Sequence, residues 1–431
     1  MRGGTRAYEF SRRLADQGHR VNMLTGAPLQ QSEKNEGLWW TTEEAGVTVH
    51  WCGVPYSNFM SFRERIQAFS RFALRAVSRA STLPVDVVFA TSTPLSVAIP
   101  GSYTALRNRV PMVFEVRDVW PEVAIAMGAL RNPFLQRASL ALEAWAYRNS
   151  DSIIALSPDM AHSITSRFPE ARVTVIPNSS DLSLFAAQSE DDVAAIRASR
   201  SWLGDRPLLV YTGSLGTANG VDYLAHVADA LQSIAPEVRI LLVGHGKARN
   251  ELEGLARRLG VWEKNLFVEP PIVKQDVPSL LAAADMCASV FADVPALSAN
   301  SPNKVFDAFA ASRSVVINNG GWLAEVLQES GAGIAVPPDD PVTGAKMIAQ
   351  HIMDPESLKR ARSAAALLAR GQFNRDVLFE KFEEVLLEAA RRGPRRHPRR
   401  DRPDRGQRAR RLNGGAETGV EFDEPIGRGQ R

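Results

Sequence analysis

Residues 208–216 read LLVYTGSLG: an apolar run suited to a strand buried on both faces, then a turn of small residues, then a helical pattern over 221–234. Residues 240–246, ILLVGHG, repeat the device and lead to a helical pattern over 250–259. Downstream, strands at 266–269, 286–290 and 314–317 alternate with helices at 277–284, 304–311 and 342–353. Strands alternating with helices imply crossover units and a mostly parallel sheet. Upstream the same alternation is already present, with strands at 47–51, 85–90, 112–116, 152–156 and 172–176 and helices at 65–80, 94–107 and 133–147. The break between the two series is IPNSSDLSLF (176–185) with a polar stretch up to Pro207, where Pro, Asn and Ser cluster at a strand end. The expectation is an α/β chain of two Rossmann-like domains. An N-terminal domain spans 1–178, a linker 179–206, a second domain 207–372, a C-terminal helix 373–390 and an arginine-rich tail 391–431.

The opening MRGGTRAYEFSRRLADQGHRVNMLTG reads as a glycine turn, a helix over 5–17, a stop at Gly18 and a strand over 20–24. In a doubly wound domain such a turn joins strand one to helix one. The first strand of the N-terminal domain is therefore expected to be missing, through a displaced start or a natural truncation.

At 431 residues the chain exceeds one ordinary core, and 45% hydrophobic with 23% charged residues is the balance of a soluble globular protein. Cys52 and Cys287 are far apart in apolar stretches, which excludes a disulfide framework or cysteine zinc cluster and fits a reducing cytoplasm. No apolar run is long enough to span a bilayer, and the start lacks a signal-peptide core. The tail carries 13 arginines and 6 acidic residues, so its charge is +7 in a chain totalling +3. With almost nothing apolar to bury it is expected to be disordered, as a solvated extension or a contact to an anionic surface.

Chemistry concentrates at strand ends. Arg117 and Asp118 end the strand of VFEVRDVWPE (113–122), where an open parallel sheet directs side chains into its ligand crevice. The turns at Gly213, Ser214 and Gly244 can bring backbone amides to a diphosphate. In SPNKVFDAFAA (301–311), Ser301 or Asn303 is expected to cap a helix, with Pro302 in its first turn. Lys304 in that turn is disfavoured by the helix dipole unless an anion binds there. Asp307 shares its face, placing a phosphate partner beside a hydroxyl acceptor; the alternative is a solvated Lys304–Asp307 pair. Gly3 and Gly4 precede a helix N-terminus, and Lys274 could meet a base or phosphate. His19 and His245 are read as packing or solvent residues. No Asp-x-Asp or paired-histidine pattern points to a metal, so no cofactor is expected, and helix termini with Lys304 would neutralise a diphosphate without one.

With these residues in view, the chain resembles the retaining glycosyltransferases of family four, which have the GT-B fold of two Rossmann-like domains facing each other across a cleft. Within it the similarity is to the bacterial surface-polysaccharide branch of WbuB-type fucosamine transferases. The opening GGTRAYEFSRRLADQGHRVNMLTGAP, the element VFEVRDVWPE, the linker IPNSSD and the element SPNKVFDAFAA carry the resemblance, in that order and over about residues 1–390. It implies transfer with retention, with Gly3 and Gly4 facing the donor phosphates and sugar and Asp118 on the acceptor side, beside Arg117. It also implies Asn303 and Lys304 at the diphosphate, Asp307 at the ribose, and Pro271, Ile272 and Val273 near the base. The family's paired glutamates fall here on Ala299 and Asp307, and the usual arginine and lysine of the second domain on Ser214 and Asn219. Lys304 is expected to supply the missing charge.

The implied partners are a nucleotide-sugar donor and a saccharide or lipid-linked saccharide acceptor, with no specific nucleic acid. In residues 59–80, Phe62, Ile66, Phe69, Ala73 and Ala76 form an apolar stripe and Arg71, Arg75 and Arg79 a basic one. That pattern suits peripheral binding to an anionic membrane surface at the cytoplasmic face, or an ordinary core-facing helix. A catalytically defective homologue and a sugar-nucleotide epimerase are the competing readings of the whole.

Overall fold

The computed structural model describes residues 6–27, 37–57, 60–118, 120–185 and 188–394. Its strands are β1 (Val21–Gly26), β2 (Trp39–Glu44), β3 (Val47–Cys52), β4 (Val88–Thr91), β5 (Met112–Val116), β6 (Ser152–Ala155) and β7 (Val173–Val175) in the first half. The second half holds β8 (Leu208–Ser214), β9 (Arg239–His245), β10 (Leu266–Glu269), β11 (Met286–Ser289), β12 (Ser314–Ile317) and β13 (Gly333–Ala335).

The second half forms one six-stranded sheet in the order β10-β9-β8-β11-β12-β13. Every pairing in it is parallel. This is the doubly wound order, whose strand direction of assembly reverses between β8 and β11 and opens a crevice at the strands' carboxyl ends. β9, β11 and β12 are buried through almost their whole length and β8 from Leu208 to Tyr211, which is why they read as continuous apolar runs. Two cores flank the sheet, one around Tyr211, Leu224 and Ile240 and the other around Val210, Phe306 and Phe309. Residues 182–206 carry helices Leu182–Phe185 and Glu190–Ala198, and Phe185 and Leu203 enter the second of these cores.

The first half is divided. β4-β5-β6-β7 is a parallel sheet, and β1-β3-β2 a separate one with β2 antiparallel. The sequence reading had no strand at β2. Among the described residues, β1 pairs only with β3 and β4 only with β5. Both unpaired edges line one cavity of about 970 Å³, floored by Leu14 of the helix Arg6–Asp16 and by Phe382 and Leu386 of the helix Arg375–Arg392. The apolar side chains are split accordingly, into one group around Val113, Ile154 and Phe382 and another around Val47, Val49 and Trp51. Residues 1–5, with Gly3 and Gly4, lie outside the described residues, as does the tail from 395.

The helix Arg375–Arg392 follows the second domain yet packs its Leu378, Phe379 and Phe382 against Phe10, Val113 and Ile154 of the first. The helix Phe62–Ala80 departs from its sequence reading. Its capping box at Ser61 and Glu64 forms, but Arg75 donates to the Gly53 carbonyl and Arg79 to the His50 ring. Of the three arginines only Arg71 stands in solvent, while Ile66 of the intended apolar stripe is exposed. The long arginine stems reach back to the sheet, so helical spacing alone misplaced their heads. No described helix is long and apolar enough to cross a membrane.

Candidate functional site

The carboxyl ends of the two sheets meet around a cavity of about 680 Å³. The first domain contributes Arg117 and Asp118 after β5, Leu156 after β6 and Asn178 after β7. The second contributes Gly213 and Ser214 at the end of β8, Gly244 and His245 at the end of β9, and Pro271, Ile272 and Lys274 after β10. The floor is completed by Asn300 to Lys304 and Asp307. Of the expected site residues, all those described line this cavity except Val273, which is 61% exposed. Pro271, Ile272 and Lys274 around it line the cavity, so Val273 alone of this segment is turned away from it to solvent. His245 lines the cavity too, and His19 instead contacts Glu383 at 2.8 Å.

Glycine is required at the β8 and β9 ends for a specific reason. A Cβ on Gly244 would lie 1.8 Å from the Gly213 carbonyl oxygen, and Gly213 itself sits at φ +138° with Lys304 atoms 3.4 Å from the place of its missing Cβ. Any side chain would force apart the two strand ends or displace the lysine.

Lys304 lies in the first turn of the helix Asn303–Ala310. Its ammonium is sealed from solvent, has no hydrogen-bond partner and stands 3.7 Å from the centre of the Tyr211 ring. Burial pulls its pKa down to about 7. The expected cap is absent: Pro302 occupies the capping position and no side chain accepts from the first turn. Ser301 is used elsewhere, its hydroxyl accepting from the Asn178 N–H and its carbonyl from the Asn178 amide. The helix start therefore offers open backbone donors beside a buried amine without a partner, an arrangement matched to an anion.

Lys304 and Asp307 do not pair, so the solvated-pair alternative is excluded. The Asp307 carboxylate accepts from the hydroxyl of Ser180, in the segment that joins the domains. Burial raises its pKa, opposed by that hydrogen bond and by the charges of Lys274 and Arg375. Asp118 accepts from Thr93 Oγ1 at 2.8 Å, the Arg117 N–H donates to Ser92 Oγ at 3.0 Å, and the Arg117 Nε is buried without a partner. Ala299 has turned away from the cavity wall: its carbonyl accepts from Ser157 Oγ at 2.6 Å and its methyl packs on the first domain's core. Among the described residues, no three His, Cys, Asp or Glu side chains converge on a metal position.

Sequence reasoning missed Asn178, Asn300, Tyr211 and Ser180. Asn178 and Ser180 stood in the linker motif and read only as a boundary, and Tyr211 looked like one more core residue of β8.

Comparison with known proteins agrees with this architecture. Residues 3–179 match the glycosyl transferase 4-like domain, and residues 206–354 the glycosyl transferases group 1 domain. The glycosyl transferase WcaI of Escherichia coli (strain K12), assigned to colanic acid biosynthesis, is 25% identical over 338 residues, covering 75% of this chain and 81% of that one. Sucrose-phosphate synthase from Thermosynechococcus elongatus superimposes with a TM-score of 0.71 at 16% identity, over 89% of this chain and 92% of that one. HepE of Anabaena, solved in complex with UDP, gives 0.64 at 19% identity, over 90% and 96%. Two glycosyltransferase domain models in sequence, on two Rossmann-like sheets whose carboxyl ends share a cavity, place the chain in the group 1 glycosyltransferase family with the GT-B fold.

Proposed function

We propose that the chain transfers a sugar from a nucleoside-diphosphate donor, held mainly by the second domain, to a saccharide acceptor in surface-polysaccharide assembly. The observation that carries this reading is the Lys304 ammonium, buried without a partner at an uncapped helix start inside the cavity. A diphosphate supplies the charge and the acceptor atoms that this amine and the open N–H groups lack. Asp307 would meet the ribose, Ile272 and Lys274 the base side, and Gly213, Ser214 and Gly244 the phosphates.

Transfer would proceed with retention. The leaving diphosphate would take the acceptor's proton, while Lys304 and the helix terminus stabilise the charge that develops on it, without a metal. Asp118 and Arg117 line the acceptor side. The acceptor would be lipid-linked, and the first domain would sit on an anionic membrane surface at the cytoplasmic face. Leu74 and Leu106 support this, being 74% and 79% exposed on mutually packed helices that also present Arg71 and Arg107 to solvent.

The test is calorimetry with UDP, GDP and their hexose conjugates. Binding of one nucleotide by the unaltered chain, lost in Lys304→Met, is the expected result. A folded chain that binds none of them, or binds one equally well after Lys304→Met, would overturn the reading.

A further inference from the structure

The cavity holds unmet acceptors as well as the unmet donors Lys304 Nζ and Arg117 Nε. Asn178 is 4% exposed, and its side-chain nitrogen donates to the Ser301 carbonyl. A carbonyl can only accept, so this bond fixes which end of the amide is nitrogen. The other end, Oδ1, is buried with no partner. Asn300, next to Ser301, also has its Oδ1 buried without a partner, and its backbone carbonyl is occupied by Trp322 Nε1 at 3.1 Å. Both residues line the cavity that contains Lys304. Buried carbonyl oxygens without a donor are uncommon and costly in folded proteins.

These oxygens cannot serve a phosphate, whose own oxygens are acceptors. They call for O–H or N–H groups. The cavity is thus divided by hydrogen-bond sense, with donors at Lys304 and the helix start, and acceptors at Asn178 and Asn300. A nucleoside-diphosphate sugar has the matching division, since its diphosphate only accepts and its sugar carries several hydroxyls.

We propose that Asn178 and Asn300 form the subsite that accepts hydrogen bonds from the hydroxyls of the transferred sugar. The proposal rests on the donor reading above. Position 299, just before Asn300, carries a methyl packed on the first domain's core and offers no acceptor of its own side chain to the cavity. Asn178 comes from the first domain and Asn300 from the second, so the sugar is read by both domains at once.

The test is a calorimetric cycle using the nucleotide that binds, alone and joined to glucose or to singly deoxygenated glucose. Asn300→Ala removes only the unpartnered amide, and Asn178→Ala is its counterpart. The expected result is that Asn300→Ala holds the bare nucleotide as before but binds the nucleotide sugar about five- to tenfold more weakly, and that Asn178→Ala, which also frees the Ser301 carbonyl, loses more affinity for the nucleotide sugar than for the bare nucleotide. One deoxygenated sugar should show the same loss with the unaltered chain and no further loss with Asn300→Ala. Equal weakening of nucleotide and nucleotide sugar, or no change in either, would overturn the subsite while leaving the donor site standing. If the unaltered chain binds no nucleotide, the donor reading falls and the subsite with it.

Discussion

The Lys304 ammonium stands 3.7 Å from the centre of the Tyr211 ring and has no hydrogen-bond partner among the described residues. A cation over an aromatic face gains about 0.5–2 kcal/mol, much less than full burial of a charge costs. The Tyr211 hydroxyl is committed to the Ser214 carbonyl at 2.7 Å and does not accept from the amine. Burial consequently brings the Lys304 pKa down to about 7, and an anion arriving in the cavity would raise it again.

Nucleotide binding should therefore take up a proton above neutrality. Below about pH 7 the amine is charged already, and affinity should be level. Above it, affinity should fall by about tenfold per pH unit until the pKa of the complex is reached. Calorimetry at pH 8 in buffers of different ionisation enthalpy would measure the uptake, and Lys304→Met should abolish it. The same shift acts on stability: the unfolded chain holds this proton at a pH where the folded chain has released it. Lys304 should make stability rise with pH between about 7 and 10.5.

Asp307 and Ser180 give a second expectation. Removing the hydroxyl in Ser180→Ala frees the Asp307 carboxylate to rotate, and Asp307→Asn removes its charge. If this carboxylate meets the ribose, both variants should lower affinity for UDP or GDP, by about tenfold for the second. Neither should affect a 2′,3′-dideoxy nucleotide. Equal losses for both nucleotides would remove Asp307 from the ribose site.

Arg6 is buried and donates to Glu115 at 2.7 Å and to the carbonyls of Ile176 and Pro177, so it ties the first helix to β5 and to the segment between the domains. Arg6→Met would leave Glu115 charged and buried, with the Thr91 hydroxyl as its remaining hydrogen-bond donor among the described residues. The expected cost is about 3–5 kcal/mol, read by denaturant titration. Glu115→Gln in the same chain should recover part of it.

The open edges of β1 and β4 can be tested directly. An extended apolar segment supplied to the cavity between them should raise the melting temperature by several degrees. It should also slow amide exchange in Val21–Gly26 and Val88–Thr91. Exchange unaffected by any such segment would mean that the two edges are protected in some other way.

Leu74→Glu and Leu106→Glu, separately and together, should weaken pelleting with vesicles containing anionic lipid while leaving nucleotide affinity as it was. Pelleting that ignores both changes and the lipid charge would remove the membrane from the proposal. Arg75→Gln and Arg79→Gln should instead reduce stability, because their guanidiniums hold Gly53 and His50.

The sequence by itself determined the two α/β domains, because strands buried on both faces must be continuous apolar runs and the helices between them need a 3.6-residue period. It also determined which candidate residues would gather, since small residues and charges at strand ends mark the crevice of a parallel sheet. LLVYTGSLG and ILLVGHG were legible as strand-turn-helix signals, VFEVRD as a strand end and SPNKVFD as a helix start, and all four contribute residues to one cavity. Only the tertiary structure decided the partners. Whether Lys304 pairs with Asp307, three residues away, or stands over Tyr211, 93 positions back, depends on how β8 meets a distant helix. The same holds for Ser180 with Asp307, for Arg75 with Gly53, and for the helix Arg375–Arg392 lying on the first domain. Local spacing constrains which face a residue occupies; the packing of elements far apart in the chain selects which group it meets there.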